Sequence, residues 1–214
     1  MPKKVYYLDK GENESISISW GMSWKNTTVS YDGRELGIIK NQKELKKGHE
    51  FDIDDGRKLS IRLKGQFYPE LELLVNGEVV EGSPTDPKVQ LKSVYSFAFW
   101  LGLINVIAGI LAIVLENAFL QKIGLGYGSI IFGGIIALLS YGVKRKSMVA
   151  MALLYGVMII DILSIFLLIG ESDANPTNGI LMKLFFLVIL FKGFGAIKAL
   201  NRADKNKVES PVQS

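Results

Sequence analysis

The chain has 214 residues, and its 25 basic and 21 acidic side chains give a modest formal net charge of +4 at pH 7. Cysteine is absent, which excludes disulfide bonds, thiolate metal sites and cysteine nucleophiles. With His49 as its only histidine, the sequence predicts no metal site and no cofactor. No basic stripe with interleaved aromatic residues stands out, so nucleic acid is not an expected partner.

Residues 1–88 predict a small all-β domain, either a sandwich or a barrel, with six to eight antiparallel strands. Short runs alternate between apolar and polar side chains, and Asp-Gly or Asn-Gly pairs between them mark tight hairpin turns. The predicted strands are Lys3–Leu8, Ser15–Trp20, Thr27–Tyr31, Glu35–Lys40, Glu50–Ile53, Lys58–Lys64, Leu71–Val75 and Glu78–Val80. Asn41–Gly48 is polar and basic, and we interpret it as a solvated loop, with one helical turn as the alternative.

Two tryptophans, Trp20 and Trp24, flank a Gly-Met-Ser turn. One interpretation is an exposed binding patch that meets a partner or the lipid headgroups. The other is that both rings pack on the core or cover the strand ends, because tryptophan is usually largely buried.

The segments Thr28–Glu35, with Tyr31-Asp32-Gly33-Arg34-Glu35, and Leu71–Glu78, with a late Asn76-Gly77 turn, form a recognisable pair of motifs. Together with the strand after Asp55-Gly56, they resemble the β-sandwich of the Fas apoptotic inhibitory molecule family. The resemblance implies a protein-interaction or stability module without a catalytic site. It does not extend to the second half of the chain.

Residues 82–92 predict a linker, because two prolines, a glycine and small polar residues cannot continue a strand. The linker is short and holds the β-domain close to the inner membrane face. Lys88 and Lys92 would meet anionic headgroups there.

Residues 93–201 predict a bundle of four transmembrane helices. Long apolar runs cover about residues 94–115, 126–143, 148–170 and 180–200. A hydrocarbon core about 30 Å thick needs about 20 apolar residues of helix. Because the runs are continuous rather than alternating, helices are favoured over barrel strands. A very hydrophobic soluble core is the disfavoured alternative, since four such runs with short loops are hard to bury in water.

The charges between the spans predict that both termini face the cytoplasm. The second connector is Lys144–Lys146, and the tail 202–214 adds further basic residues. The third connector has Glu171 and Asp173 and no base. Short loops rich in lysine and arginine stay cytoplasmic, so we expect a multi-pass protein of the inner or plasma membrane.

Polar side chains inside the predicted spans suggest a cluster in the bundle interior. Its members are Asn105, Asp161, Ser164, Lys183 and Lys192. An intramembrane acid is costly and is by default a functional hypothesis, here an ion or proton pathway. The alternative is structural, because a buried Asp–Lys pair or a hydrogen-bonded acid fixes helix packing.

Glycines in the first two spans predict close helix packing. They are Gly102, Gly109, Gly128, Gly133 and Gly134. The Gly-x-Gly-x-Gly pattern at residues 124–128 also suggests a nucleotide loop, but such a loop follows a strand, whereas these flanks are apolar and predicted to be helical.

No nucleophile–base pair, metal cluster or phosphate loop appears in the sequence, so a non-enzymatic protein is expected. The leading hypothesis is that the β-domain binds a cytoplasmic protein or small ligand and that the bundle anchors or transmits this event in the lipid bilayer. The alternative is a membrane effector or small homo-oligomeric channel, gated by the β-domain, with Asp161 lining the path.

Overall fold

A computed structural model describes residues 1–8, 13–53, 56–65, 69–116, 125–168 and 177–209, with side chains given to 164 and from 180 to 206 in the last two ranges. The chain divides into two compact units, Met1–Val89 and Gln90–Ser214. Each is described by itself below, as the β unit and the helical unit.

The β unit contains two antiparallel sheets in which strands that are consecutive in sequence pair with one another. The first sheet has the order β1 (Lys3–Tyr7), β2 (Ser15–Ser19), β3 (Thr27–Tyr31) and β4 (Arg34–Ile39). The second has the order β5 (His49–Asp52), β6 (Lys58–Lys64), β7 (Glu70–Val75) and β8 (Glu78–Val79). The prediction of an N-terminal all-β region is therefore confirmed.

Two of the hairpin turns form at the predicted dipeptides, Asp32-Gly33 and Asn76-Gly77. All four residues have positive φ, from 44° to 84°, which matches the twist of a two-residue hairpin. The first side chain of each turn also accepts a hydrogen bond from a neighbouring strand: Asp32 from the Ser15 N–H at 2.6 Å, and Asn76 from the Lys58 N–H at 2.9 Å. Asp55 of the third predicted turn lies outside the described residues.

One apolar core joins the two sheets, and alternate residues of β2, β3, β6 and β7 enter it. Its buried members are Tyr6, Ile16, Ile18, Val29, Tyr31, Ile39, Leu45, Ile53, Leu59, Ile61, Leu63, Leu71, Leu73 and Val80. The period-two pattern of β2 and β6 thus predicted the buried face correctly.

The segment Asn41–Gly48 contains a short helix, so the alternative of a helical turn is right and the interpretation as a solvated loop is wrong. Helix α1 spans Gln42–Lys47, and the Asn41 side chain caps it by accepting a hydrogen bond from the Glu44 N–H at 3.0 Å. Glu44 reaches back and accepts at 3.3 Å from the N–H of Lys40, which lies one residue before the N-cap, so the contact is a variant of the capping box. Leu45 is fully buried in the core, which anchors the helix.

The helical unit is built from α2 (Pro87–Val114), α3 (Tyr127–Lys144), α4 (Met148–Leu168) and α5 (Thr177–Glu209). Helix α2 begins within the predicted linker 82–92, because the Asp86 side chain accepts from the Lys88 N–H at 2.8 Å and proline is tolerated in a first helical turn. Helix α5 likewise continues beyond residue 200 into the predicted tail.

Within the described residues, three helical stretches are long and apolar enough to cross a membrane: Pro87–Val114, Tyr127–Lys144 and Ile180–Asn206. The described apolar part of α4, Met148–Ser164, is shorter. Length and composition therefore support three spans, and the four-span arrangement stays a prediction.

Close packing of α2 on α3 involves three of the five predicted glycines. A Cβ on Gly102 would lie 2.6 Å from the Gly133 carbonyl oxygen, and one on Gly109 would lie 2.7 Å from the Gly126 carbonyl oxygen. A Cβ on Gly128 or Gly134 would meet nothing within 4 Å among the described residues, so the contacts there do not support the packing role predicted for these two. The reason is helical geometry, since Gly134 and Gly128 lie roughly 100° and 140° around the helix from Gly133.

Candidate functional site

The most prominent polar feature of the helical unit is an ion pair between α4 and α5. Lys183 Nζ lies 2.6 Å from Asp161 Oδ2, and the two side chains are 27% and 21% exposed. Asp161 is seven residues from the end of α4, and Lys183 is six residues from the start of α5. At 1.5 Å per residue, both charges therefore lie about 10 Å inside these helix ends.

The ion pair lies next to an apolar contact between the two helices, which we call the apolar seam and which includes Leu154, Met158 and Leu190. Asp161 follows the buried Leu154 by seven residues and Met158 by three, so all three lie on one face of α4. Lys183 precedes the buried Leu190 by seven residues on α5. The local sequence thus places one acid and one base at partly buried positions beside the core of two contacting helices, where each neutralises the other.

Two other members of the predicted cluster are bonded to their own helices. Ser164 Oγ donates to the Asp161 carbonyl oxygen at 2.8 Å, and Asn105 Nδ2 donates to the Leu101 carbonyl oxygen at 2.8 Å. Such bonds satisfy a polar side chain within an apolar helix. Asn105 faces α3, because a Cβ on Gly133 would lie 2.9 Å from its own Cβ. Within the described ranges, no hydrogen bond joins Asn105 to the Asp161 carboxylate.

Lys192 belongs to a different face of α5. It follows Lys183 by nine residues, which corresponds to a rotation of about 180° around the helix. Its side chain is half-buried. Of the five predicted residues, the described contacts join Asp161 to Lys183 and the Ser164 side chain to the Asp161 main chain.

The tryptophan pair packs on the β unit's core. The Trp20 and Trp24 rings stack with centroids 4.7 Å apart and planes 21° from parallel. Both side chains are half-buried against the core, which favours the core-cover interpretation over an exposed patch. The strongly exposed apolar side chain of this turn is Met22, at 90%.

The turn that carries Met22 has an unusual backbone. Ser23, Trp24 and Asn26 have φ of 56°, 61° and 49°, which costs roughly 1–3 kcal/mol at each non-glycine position. The Gly21 N–H donates to the Lys25 carbonyl oxygen at 2.7 Å, and a Cβ on Gly21 would come 2.9 Å from that oxygen. The surrounding contacts therefore hold the turn in one shape.

A buried carboxylate on the second sheet was missed by sequence reasoning. Glu72 is 3% exposed and is ion-paired with Arg62 and with Lys64, whose Nζ lies 2.9 Å away. Burial raises the pKa of Glu72, but the hydrogen bonds from Lys64 and Arg62 outweigh this and leave its pKa below the ordinary value. The sequence contained a signal for this ion-paired site, because Arg62 and Lys64 both occupy outward positions of the alternating strand β6.

Three features thus stand out: the Asp161–Lys183 ion pair, the Met22 turn and the Glu72 triad. Within the described part of the chain, no three histidine, aspartate or glutamate side chains are grouped closely enough to hold a metal ion. The resemblance to the Fas apoptotic inhibitory molecule family stays a prediction. The chain matches no protein-family model, no curated protein and no solved structure.

Proposed function

We propose that this chain is a non-enzymatic, multi-pass integral membrane protein of the inner or plasma membrane. Its β unit binds a cytoplasmic protein or small ligand, and its four helices anchor that unit and couple the binding event to the bilayer. Both termini are cytoplasmic.

The observation that carries this proposal is the ion pair between Asp161 and Lys183. An acid that served as a conduction site would need to face a water-filled path. Here the carboxylate is engaged at 2.6 Å by an ammonium group of the next helix, within an apolar seam. This geometry supports helix packing as the role of Asp161, and hence an anchor rather than a pore.

The surface of all four helices supports a lipid environment. Each helix carries large apolar side chains that are 46–72% exposed, far more than a soluble bundle normally presents. Examples are Ile104, Leu111, Ile131, Leu138, Val149, Ile160, Leu181 and Phe191. Val149 and Ile160 belong to α4, which supports its membership among the spans.

Contacts at one end of the helical unit support the proposed orientation. The Lys144 ammonium lies 5.9 Å from the centre of the Tyr95 ring at the start of α2. Lys146 Nζ lies 2.5 Å from Asp204 Oδ2 in the last part of α5. The basic α3–α4 connector, the start of α2 and the end of α5 are thus grouped at one end. The positive-inside rule assigns that end to the cytoplasm.

Ion flux through the purified full-length protein in liposomes tests the proposal, with Asp161→Asn and Lys183→Met measured alongside. We expect no flux above that of protein-free liposomes for any of the three proteins. Flux through the native chain that Asp161→Asn changes would contradict the anchor and support the channel alternative, in which homo-oligomers form the path.

A further inference from the structure

A basic surface with an apolar tip lies at one end of the β unit, and we call it the Met22 face. It consists of Met22, Lys25, Lys40, Lys43, Lys46 and Lys47. Helix α1 packs beside the turn at Met22–Trp24, and the Asn26 N–H donates to the Lys40 carbonyl oxygen at 3.1 Å. These contacts bring the exposed methionine and the lysine-rich helix onto one surface.

The charge of the Met22 face is strongly one-sided. All five lysines are exposed, and among the described residues none of their ammonium groups forms an ion pair. The segments 20–26 and 40–47 contain a single acid, Glu44. Its carboxylate accepts hydrogen bonds from the Lys40 N–H and the Asn41 side chain, so it is committed to capping α1.

Contacts within the β unit hold the backbone of the Met22 face in one conformation. The stacked tryptophans beneath it, the close Gly21–Lys25 backbone contact and the buried Leu45 of α1 hold both segments in place. Docking through such a surface loses little conformational entropy.

An anionic bilayer surface fits this combination best. One exposed methionine offers too little apolar area for a stable protein interface, but it can enter the headgroup region while the surrounding lysines meet lipid phosphates. The chain itself supplies proximity, because β8 ends at Val79 and the candidate span α2 begins at Pro87. Such a short tether gives a high effective concentration of the face at the membrane.

We propose that the Met22 face docks reversibly on the anionic headgroups of the membrane that α2 enters. The inference rests on the membrane insertion assumed in the proposed function. Lipid charge would then control the position of the β unit. The end of the unit opposite the Met22 face would stay accessible to a cytoplasmic partner.

The absence of native cysteine permits a site-specific test. Met22→Cys in the full-length chain is labelled with an environment-sensitive fluorophore and reconstituted in phosphatidylcholine liposomes with or without phosphatidylglycerol. We expect a blue shift and protection from an aqueous quencher only with phosphatidylglycerol, both reversed by high salt. A matched probe at Glu35→Cys, exposed at the other end of β4, should not respond.

Substitutions of single lysines provide the second part of the test. Lys43→Gln, Lys46→Gln and Lys47→Gln keep the Asn41 cap and Leu45, and each should lower the ratio of docked to undocked protein roughly fivefold. Lys58→Gln removes the same charge beside the Asn76-Gly77 turn, where the Lys58 N–H donates to the Asn76 side chain, and should leave the ratio unchanged. Identical probe spectra in both lipids would overturn the proposal, as would a response to a soluble polyanion but not to phosphatidylglycerol.

The two proposals fail in different ways. A chain whose helices are inserted stays with neutral phosphatidylcholine vesicles after an alkaline wash, whatever the Met22 probe does. Release by that wash would contradict the membrane insertion itself. Retention together with a silent probe would overturn the docking of the Met22 face alone.

Discussion

Asp161 is partly buried and Glu72 is buried, and each carboxylate is ion-paired with a cation on a neighbouring helix or strand. Asp161 meets Lys183 between α4 and α5, and Glu72 meets Arg62 and Lys64 between β7 and β6. Removal of one partner from such a pair leaves an uncompensated charge, whereas removal of both leaves none.

A double-mutant cycle tests the packing role of Asp161. Asp161→Asn and Lys183→Met should each lower the free energy of unfolding in detergent by roughly 2–3 kcal/mol. Each substitution leaves the charge of the other residue unpaired within the apolar contact between the helices. The double variant should recover most of the loss. Lys192→Met is the matched control on the opposite face of α5, and its effect should simply add to that of Asp161→Asn. Additive effects for the Asp161 and Lys183 variants would contradict the pairing.

The Glu72 triad predicts a pH-dependent contribution to stability. The pKa of Glu72 is lower in the folded state than its ordinary value of 4.5, so its stabilising effect is present above that value and is lost as pH falls through the folded-state pKa. Thermal unfolding of the native chain and Glu72→Gln should therefore differ most near neutral pH and converge in acid. A gap that widened on acidification would refute this assignment.

At the scale of elements, short sequence patterns such as turn dipeptides and helix caps determine where each strand or helix begins. The strands could be predicted nearly to the residue, because alternation and the Asp-Gly and Asn-Gly turns agree on the same register. Helix α1 was only the alternative interpretation because its lysines suggested solvent, although Asn41, Glu44 and Leu45 together carry a variant of the capping box and an apolar anchor.

The α2–α3 contact depends on glycine at particular helical positions. Gly133→Val should destabilise the protein by roughly 1–3 kcal/mol, because any Cβ there meets the backbone of α2 at Gly102 and Val106. Gly134→Val is the adjacent control and should have little effect, since that position is open. Denaturant unfolding in detergent compares the two variants. Equal losses would show that the close approach is not what stabilises this interface.

Side-chain partnerships were harder to predict than elements. The sequence predicts one cluster of Asn105, Asp161 and both lysines because all lie inside predicted spans, but position along a helix says nothing about the direction in which a side chain points. Rotation around α5 separates Lys192 from Lys183, and Asn105 bonds to Leu101 of its own helix. The signal in the sequence was a spacing of seven residues, which places Asp161 on the same helical face as Leu154 and Lys183 on the same face as Leu190.

At the scale of the molecule, the order of the two units follows directly from composition, because alternating short runs precede long continuous ones. The number of membrane crossings is less constrained. In the part of the chain that the structure describes, three helical stretches meet the length and apolarity needed to span a bilayer, and the apolar part of α4 is shorter. Whether α4 crosses the bilayer decides on which side α5 begins, and thus the topology of the whole protein.

The most direct test introduces single cysteines into the cysteine-free chain and treats intact cells with a membrane-impermeant maleimide. The two informative positions are Ser172, in the predicted third connector, and Glu35, in the β unit. Our account predicts that Ser172→Cys reacts in intact cells, whereas Glu35→Cys reacts only after permeabilisation. Protection of Ser172→Cys in intact cells, or reaction of Glu35→Cys, would contradict a four-span protein with a cytoplasmic β unit.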